Sequence, residues 1–194
     1  KHSNDEDAVN ALPEVYARVQ QNHLKKINTY KTYKEISRWD KIIEEYSTLQ
    51  RMYETVSNTD GANRLVNAVN YQNDIYDAKQ NAAADYYEQA VTLLQSNYRD
   101  DAKKAYSYFK KAGNWVPGYK DAKSKMDEAY LNATINVVIN PVQDNSFFFN
   151  SGWGNTGYNY SNEYFQQTLI RELGGKYASR YPAKFYTEWE ARRD

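Results

Sequence analysis

Chemistry needs side chains that titrate, attack or ligate, and this sequence offers few. Its only histidines are His2 and His23, and it has no cysteine. His2 stands in a polar N-terminal stretch. His23 follows a helical pattern beside Leu24 and reads as a surface or helix-packing residue. One usable imidazole supports neither a Ser-His-Asp nor a Cys-His triad. Zinc sites built on N and S ligands lack their donors, and disulfides are excluded. Carboxylate pairs remain, because glycoside cleavage needs two of them across one bond. The candidates are Glu44-Glu45, Asp100-Asp101 and Glu188 with Glu190. The first two pairs are adjacent on helices, so their members point to different faces and read as solvated. Glu188 and Glu190 would share one face of a strand. Asp5-Glu6-Asp7 lacks the ligand spacing and glycine of a calcium loop. Gly152-Trp153-Gly154-Asn155-Thr156-Gly157 neither directly follows a strand nor opens a helix, so it is no dinucleotide fingerprint. The expectation is a protein with no catalytic residues, no metal and no cofactor.

One segment has a composition suited to binding. Between Asp144 and Ser161 an Asn- and Gly-rich loop carries Phe147, Phe148, Phe149, Trp153, Tyr158 and Tyr160. Such rings can stack on a sugar or insert into a partner; alternatively the triple Phe folds back as core. These six residues are the candidate binding site.

Glycine and proline divide the elements that must position these groups. Gly61 and Pro13 are the only such residues before Gly113, while seven Gly and three Pro follow from there. Long helices are therefore expected first, and loops and strands later. Pro13 suits the first turn of a helix. A second helix is expected where Trp39, Ile42, Ile43, Tyr46, Leu49, Met52, Tyr53 and Val56 recur at steps of three and four. Ser37 is placed to cap it, and Ser57-Asn58-Thr59-Asp60-Gly61 to end it. A third helix is expected from Leu65 to Ser96, with a break near Tyr71-Gln72-Asn73. A fourth carries Ala102, Ala105, Tyr106, Phe109 and Ala112 and should stop at Gly113-Asn114. A fifth runs from Tyr119 to Ala133. Beyond it, Thr134–Asn140 reads as a strand, Asn162–Leu173 as a helix stopped by Gly174-Gly175, and Phe185, Thr187 and Trp189 alternate like a second strand. The consecutive Val137, Val138 and Ile139 suggest a first strand covered on both faces.

The predicted fold is thus mainly α: a flexible leader over 1–12, antiparallel helix pairs over 13–133, and a small β-α-β extension over 134–194 that reads as incomplete. Lysine and arginine total 25 against 25 carboxylates, and six of each follow Thr134, so neither part is polarised. No basic stripe marks a nucleic-acid footprint. No apolar run approaches a membrane span. Tyrosine is abundant, at 20 against six Phe. A ring that leaves its hydroxyl wet suits thin layers with shallow cores.

Tyr76-Asp77-Ala78-Lys79 recurs as Tyr119-Lys120-Asp121-Ala122-Lys123, an offset of 44 residues that also aligns Tyr86 with Tyr130. That period points to stacked helix pairs. Tyr86, Ala90 and Leu93 then stand where the tetratricopeptide motif has a bulky, a small and a large residue, and Ala102 and Tyr106 match its second helix. Pro117 fits only with a three-residue slip. The chain resembles a degenerate tetratricopeptide-like repeat over Asp77–Ala133, and more loosely over Pro13–Val56. Thr134–Asn140 and Tyr164–Gly175, in an Asn- and Tyr-rich tail, also resemble exported lipoproteins of Bacteroidetes-type bacteria, which implies an extracytoplasmic place and a lipid anchor upstream. The resemblances imply a non-catalytic interaction or scaffold module with a protein partner, in the bacterial cell envelope. The alternative is a carbohydrate-binding accessory protein that uses the 147–160 loop on a glycan.

Overall fold

The computed structural model describes residues 6–140, 162–177 and 182–193. The described chain runs α1 (Glu6–Lys31), α2 (Arg38–Ser57), α3 (Ala62–Leu65), α4 (Gln72–Leu94), α5 (Arg99–Trp115), α6 (Ala122–Ala133), β1 (Ile135–Ile139), α7 (Asn162–Tyr177), β2 (Ala183–Thr187) and α8 (Glu188–Ala191). The fold is mainly helical with a small two-stranded sheet.

Several helix ends fall where the chemistry put them. The segment after Ser57 turns at Gly61, whose φ of 88° needs a residue without a Cβ. The third helix, expected from Leu65, begins only at Gln72: residues 66–71 are not helical, and the break expected near Tyr71 is the start of α4. It is pinned from both sides: Gln50 Oε1 accepts the Tyr71 backbone N–H at 2.8 Å, and Gln20 Nε2 donates to the Tyr71 hydroxyl at 2.8 Å. The Asn70 side chain then takes the Gln72 N–H at 2.9 Å and opens α4.

Other ends differ. Helix α1 starts at Glu6 and not at Pro13, so residues 6–12 of the expected leader are helical and Pro13 lies inside the helix. Glu6 and Asp7 favour that end of the helix dipole. Leu12 packs on the cluster of Tyr16, Val56 and Val66, which offsets the backbone bond that proline removes. Ser37 occupies the position before α2 but gives no side-chain cap, because its backbone is already turned (φ −62°, ψ −10°). Gly113-Asn114 does not stop α5. The helix continues to Trp115, and the Val116 N–H bonds to the Ala112 carbonyl at 3.0 Å; Pro117 follows directly. Helix α6 begins at Ala122, after the left-handed Lys120 (φ 44°). Gly174-Gly175 does not end α7, which reaches Tyr177.

Successive long helices pack antiparallel. Tyr16, early in α1, meets Val56, late in α2. Arg38 of α2 meets Asp85 of α4, while Gln50 meets Tyr71. Tyr87 stacks edge-on to Phe109 of α5 at 5.5 Å, and Tyr106 of α5 lies 5.9 Å from Tyr130 of α6. The seams are rich in alanine. Ala82, Ala83 and Ala90 of α4, Ala105 and Ala112 of α5 and Ala129 of α6 are all fully enclosed. Small side chains let helix axes approach, and the half-buried tyrosines close the margins.

In the sheet, β1 pairs with β2 in parallel, with Ile135 opposite Ala183 and Ile139 opposite Thr187. Parallel strands need a crossover, and α7 lies between them in sequence. Two expectations are corrected. First, β1 is not covered on both faces, since Ile135, Asn136 and Val138 are exposed. Its run of three apolar residues reflects β-branched propensity more than burial. Second, β2 ends at Thr187, and Trp189 lies in α8. Thr187 caps that turn: its hydroxyl accepts the Glu190 N–H at 3.2 Å, and the Glu190 carboxylate takes the Thr187 N–H at 2.9 Å.

Candidate functional site

The aromatic residues singled out from the sequence, Phe147, Phe148, Phe149, Trp153, Tyr158 and Tyr160, all lie outside the described residues. What the structure assembles is a polar seam across the helical array, in three linked groups.

The first group joins α2 to α4. Asp85 accepts from the Arg38 guanidinium at 2.5 Å and from the Trp39 indole N–H at 2.7 Å, while Arg38 lies 5.1 Å from the Trp39 ring. The second joins α2, α4 and α5. Lys111 donates to Asp40 at 2.5 Å and to the Tyr86 hydroxyl at 3.0 Å, and its ammonium sits 4.9 Å from the centre of the Tyr86 ring. Tyr86 itself donates to Asp40 at 3.2 Å. The third joins α4 to the turn before α6. There the Tyr87 hydroxyl donates to Asp121, and Lys120 lies over the Tyr87 and Tyr119 rings at 4.7 and 5.4 Å. Asp85, Tyr86 and Tyr87 are consecutive on α4, so one half-turn of helix reaches all three neighbours.

Burial raises the Tyr86 pKa, and this outweighs the hydrogen bond from Lys111. Burial alone would lower the Lys111 pKa, but its bonds to Asp40 and Tyr86 win and raise it. A tyrosine–lysine pair acting as a base needs a depressed hydroxyl; this one holds its proton. The hydrogen bond to Asp121 pushes Tyr87 up to about 12, with burial adding to it, and that same bond lowers Asp121. The seam therefore ties the helices together, and Tyr86 and Tyr87 stay protonated at neutral pH.

His23 is a helix-packing residue, as expected, with its Nδ1 against Glu45 of α2. Glu45 departs from its expected solvated role. Its side chain is only 13% exposed and also accepts from Lys26 at 3.2 Å. Burial would raise its pKa, but the bonds from His23 and Lys26 lower it. Glu44 is exposed. Asp100 pairs with Lys103 at 3.0 Å, and Asp101 accepts from Ser96 at 2.8 Å. Glu188 and Glu190 do not share a strand face. They open α8, where Glu188 pairs with Arg192 and Glu190 completes the cap. Among the described residues no group of three potential ligands is placed to hold a metal ion, and no helix is long and apolar enough to cross a membrane.

Sequence reasoning missed the seam. Its only trace was the presence of Asp40, Asp85 and Lys111 beside the apolar stripes of three helices. Which carboxylate meets which cation depends on helix register. Comparison with known proteins finds no matching family model, no matching curated relative and no matching solved structure.

Proposed function

We propose that α1–α6 form a tetratricopeptide-like array that works as a non-catalytic protein-interaction scaffold, in the bacterial cell envelope and within a larger assembly. The observation that carries this reading is the seam. Arg38, Asp40, Asp85, Tyr86, Tyr87, Lys111 and Asp121 fix α2, α4, α5 and the turn before α6 against one another, and the raised pKa values of Tyr86 and Tyr87 are unsuited to a base. Rigid helix pairs with exposed outer faces suit recognition of extended partners. The 44-residue match gives partial support. Ala78 and Ala122 are both buried, whereas Tyr86 is enclosed and Tyr130 is exposed. The envelope placement rests on the likeness of the tail to exported lipoproteins.

The test is selection from a randomised peptide display library on the immobilised full chain. Convergent peptides that bind in solution with roughly micromolar affinity are expected, typical of module–peptide recognition. A selection that yields no convergent sequence overturns the binding role. Recovery of the native protein in the soluble cytosolic fraction overturns the envelope placement.

A further inference from the structure

Between Lys25 and Lys41 stand six lysines and arginines against two carboxylates, in a chain of zero net charge. The fold gathers this run at one end of the array, on the last turns of α1, the connecting turn and the first turn of α2. Part of the charge is committed internally. Arg38 holds Asp85, Lys26 shares Glu45 with His23, and Lys31 reaches the Tyr46 hydroxyl at 3.4 Å. Lys25, Lys34 and Lys41 are not: among the described residues no carboxylate lies within ion-pair distance of them. The Lys41 ammonium instead lies 5.4 Å from the Tyr30 ring and 5.8 Å from Tyr33, and those two rings meet edge to face at 5.7 Å. Beside them an open groove follows α1 from Val19 to Tyr30 and reaches Tyr33 in the turn beyond it, with Lys25, Lys26 and Thr29 on its walls.

We infer that this end of α1 docks an acidic, extended peptide segment of a partner protein, with carboxylates paired to Lys25 and Lys41 and a flanking apolar side chain on the Tyr30–Tyr33 rings. The inference deepens the protein-binding reading and rests on it. Charge complementarity selects an acidic ligand, and the aromatic pair with its adjoining groove selects one that also offers apolar contact. A nucleic acid fits worse. Glu44, which is exposed, stands one turn along α2 from Lys41, where an evenly spaced phosphate chain would meet it, whereas a peptide sets its own charge spacing. An anionic membrane draws on clusters of about four to eight lysines and arginines, and only Lys25, Lys34 and Lys41 of this run are free of internal ion pairs or the Tyr46 hydroxyl among the described residues.

Fluorescence anisotropy on the full chain tests this, with a fluorescein-labelled glutamate-rich dodecapeptide that contains one leucine. A lysine-rich counterpart, an oligothymidylate and phosphatidylserine vesicles run in parallel. The acidic peptide should bind, more weakly as salt rises. Lys25→Glu with Lys41→Glu should weaken it by roughly tenfold or more. The control, Lys104→Glu with Lys110→Glu on α5, should leave it unchanged, with both variants melting like the parent. The inference is overturned if the peptide does not bind, if the two double variants behave alike, or if the oligonucleotide or vesicles bind more tightly. A display selection that returns convergent peptides without acidic residues sinks this inference alone. One that returns nothing sinks the binding reading with it.

Discussion

Between Glu6 and Ala133 every long helix contributes fully or nearly fully buried apolar side chains, from Tyr16 and Ile27 to Ala129 and Ala133. Between Ile135 and Arg193 the only described side chain that is buried is polar, Gln166, which donates to the Ile139 carbonyl at 3.2 Å. The two regions differ because their elements ask for different cover. A helix satisfies its own backbone and needs only one stripe covered. A parallel strand needs partners on its edges and cover on two faces. Helix pairs meet their demand locally and can be extended pair by pair. Two strands and one helix leave edges and a face open. The array is thus closed by its own contacts, and the extension is not closed by the described ones.

The comparison breaks first at Ala105, if anywhere. This residue has no exposed surface and sits between α4 and α6 with Ala90, Phe109 and Ala129. Ala105→Asp should cost about 3–5 kcal/mol, the scale of an uncompensated buried charge, read by chemical denaturation. An unchanged unfolding midpoint would show that the alanine seam is not the core.

The next effect is smaller because its groups are wetter. Asp40 is 36% exposed and Lys111 44%, so solvent screens their attraction. Asp40→Ala should cost about 1 kcal/mol. In a double-mutant cycle with Lys111→Met the two losses should be less than additive. Strict additivity would mean that the pair does not weld α2 to α5.

Legibility followed the same division. Helix periodicity is written in single residues, so the stripes of α2, α4 and α5 and the break at Tyr71 could be read from the sequence. The helix ends at Pro13, Gly113 and Gly174 could not, because packing by Leu12 and Trp115 and bonds across turns overrode local breaker signals. The seam was hidden for another reason. Asp40 and Lys111 are 71 residues apart, and their pairing depends on the register of three helices. The candidate aromatic loop was legible as composition, while its geometry lies outside the described residues.

A pH-dependent test sharpens the role of the third seam group. The Tyr87 pKa is raised to about 12 from the model-peptide value of 10.0, chiefly by its bond to Asp121. A raised folded pKa gives stability that is fully present below the unfolded value and is lost as pH rises through the folded one. Stability should therefore fall between about pH 10 and 12, and Tyr87→Phe should flatten part of that fall without altering the neutral-pH fold. Tyr86, also raised, should keep some of the slope in the variant. Identical alkaline profiles would show that the Tyr87–Asp121 bond is not populated.

The smallest expected effect lies in the extension and gives the comparison its most direct check. Val138 is apolar, β-branched and central in β1, so its sequence context resembles that of a strand buried on both sides. In the structure it is 43% exposed, and its neighbour across the sheet is Tyr186. Burying a lysine at a covered site would cost several kcal/mol, but at an exposed strand position a substitution normally stays within about 0.5 kcal/mol. Val138→Lys should accordingly leave the denaturation midpoint of the chain almost where it was. Hydrogen exchange should show amides of β1 and α7 opening with smaller free energies than those of α4 and α5, before and after the substitution. A loss comparable to that of Ala105→Asp would mean that β1 is covered after all. The extension would then hold a core of its own, and the contrast between the two regions would fail.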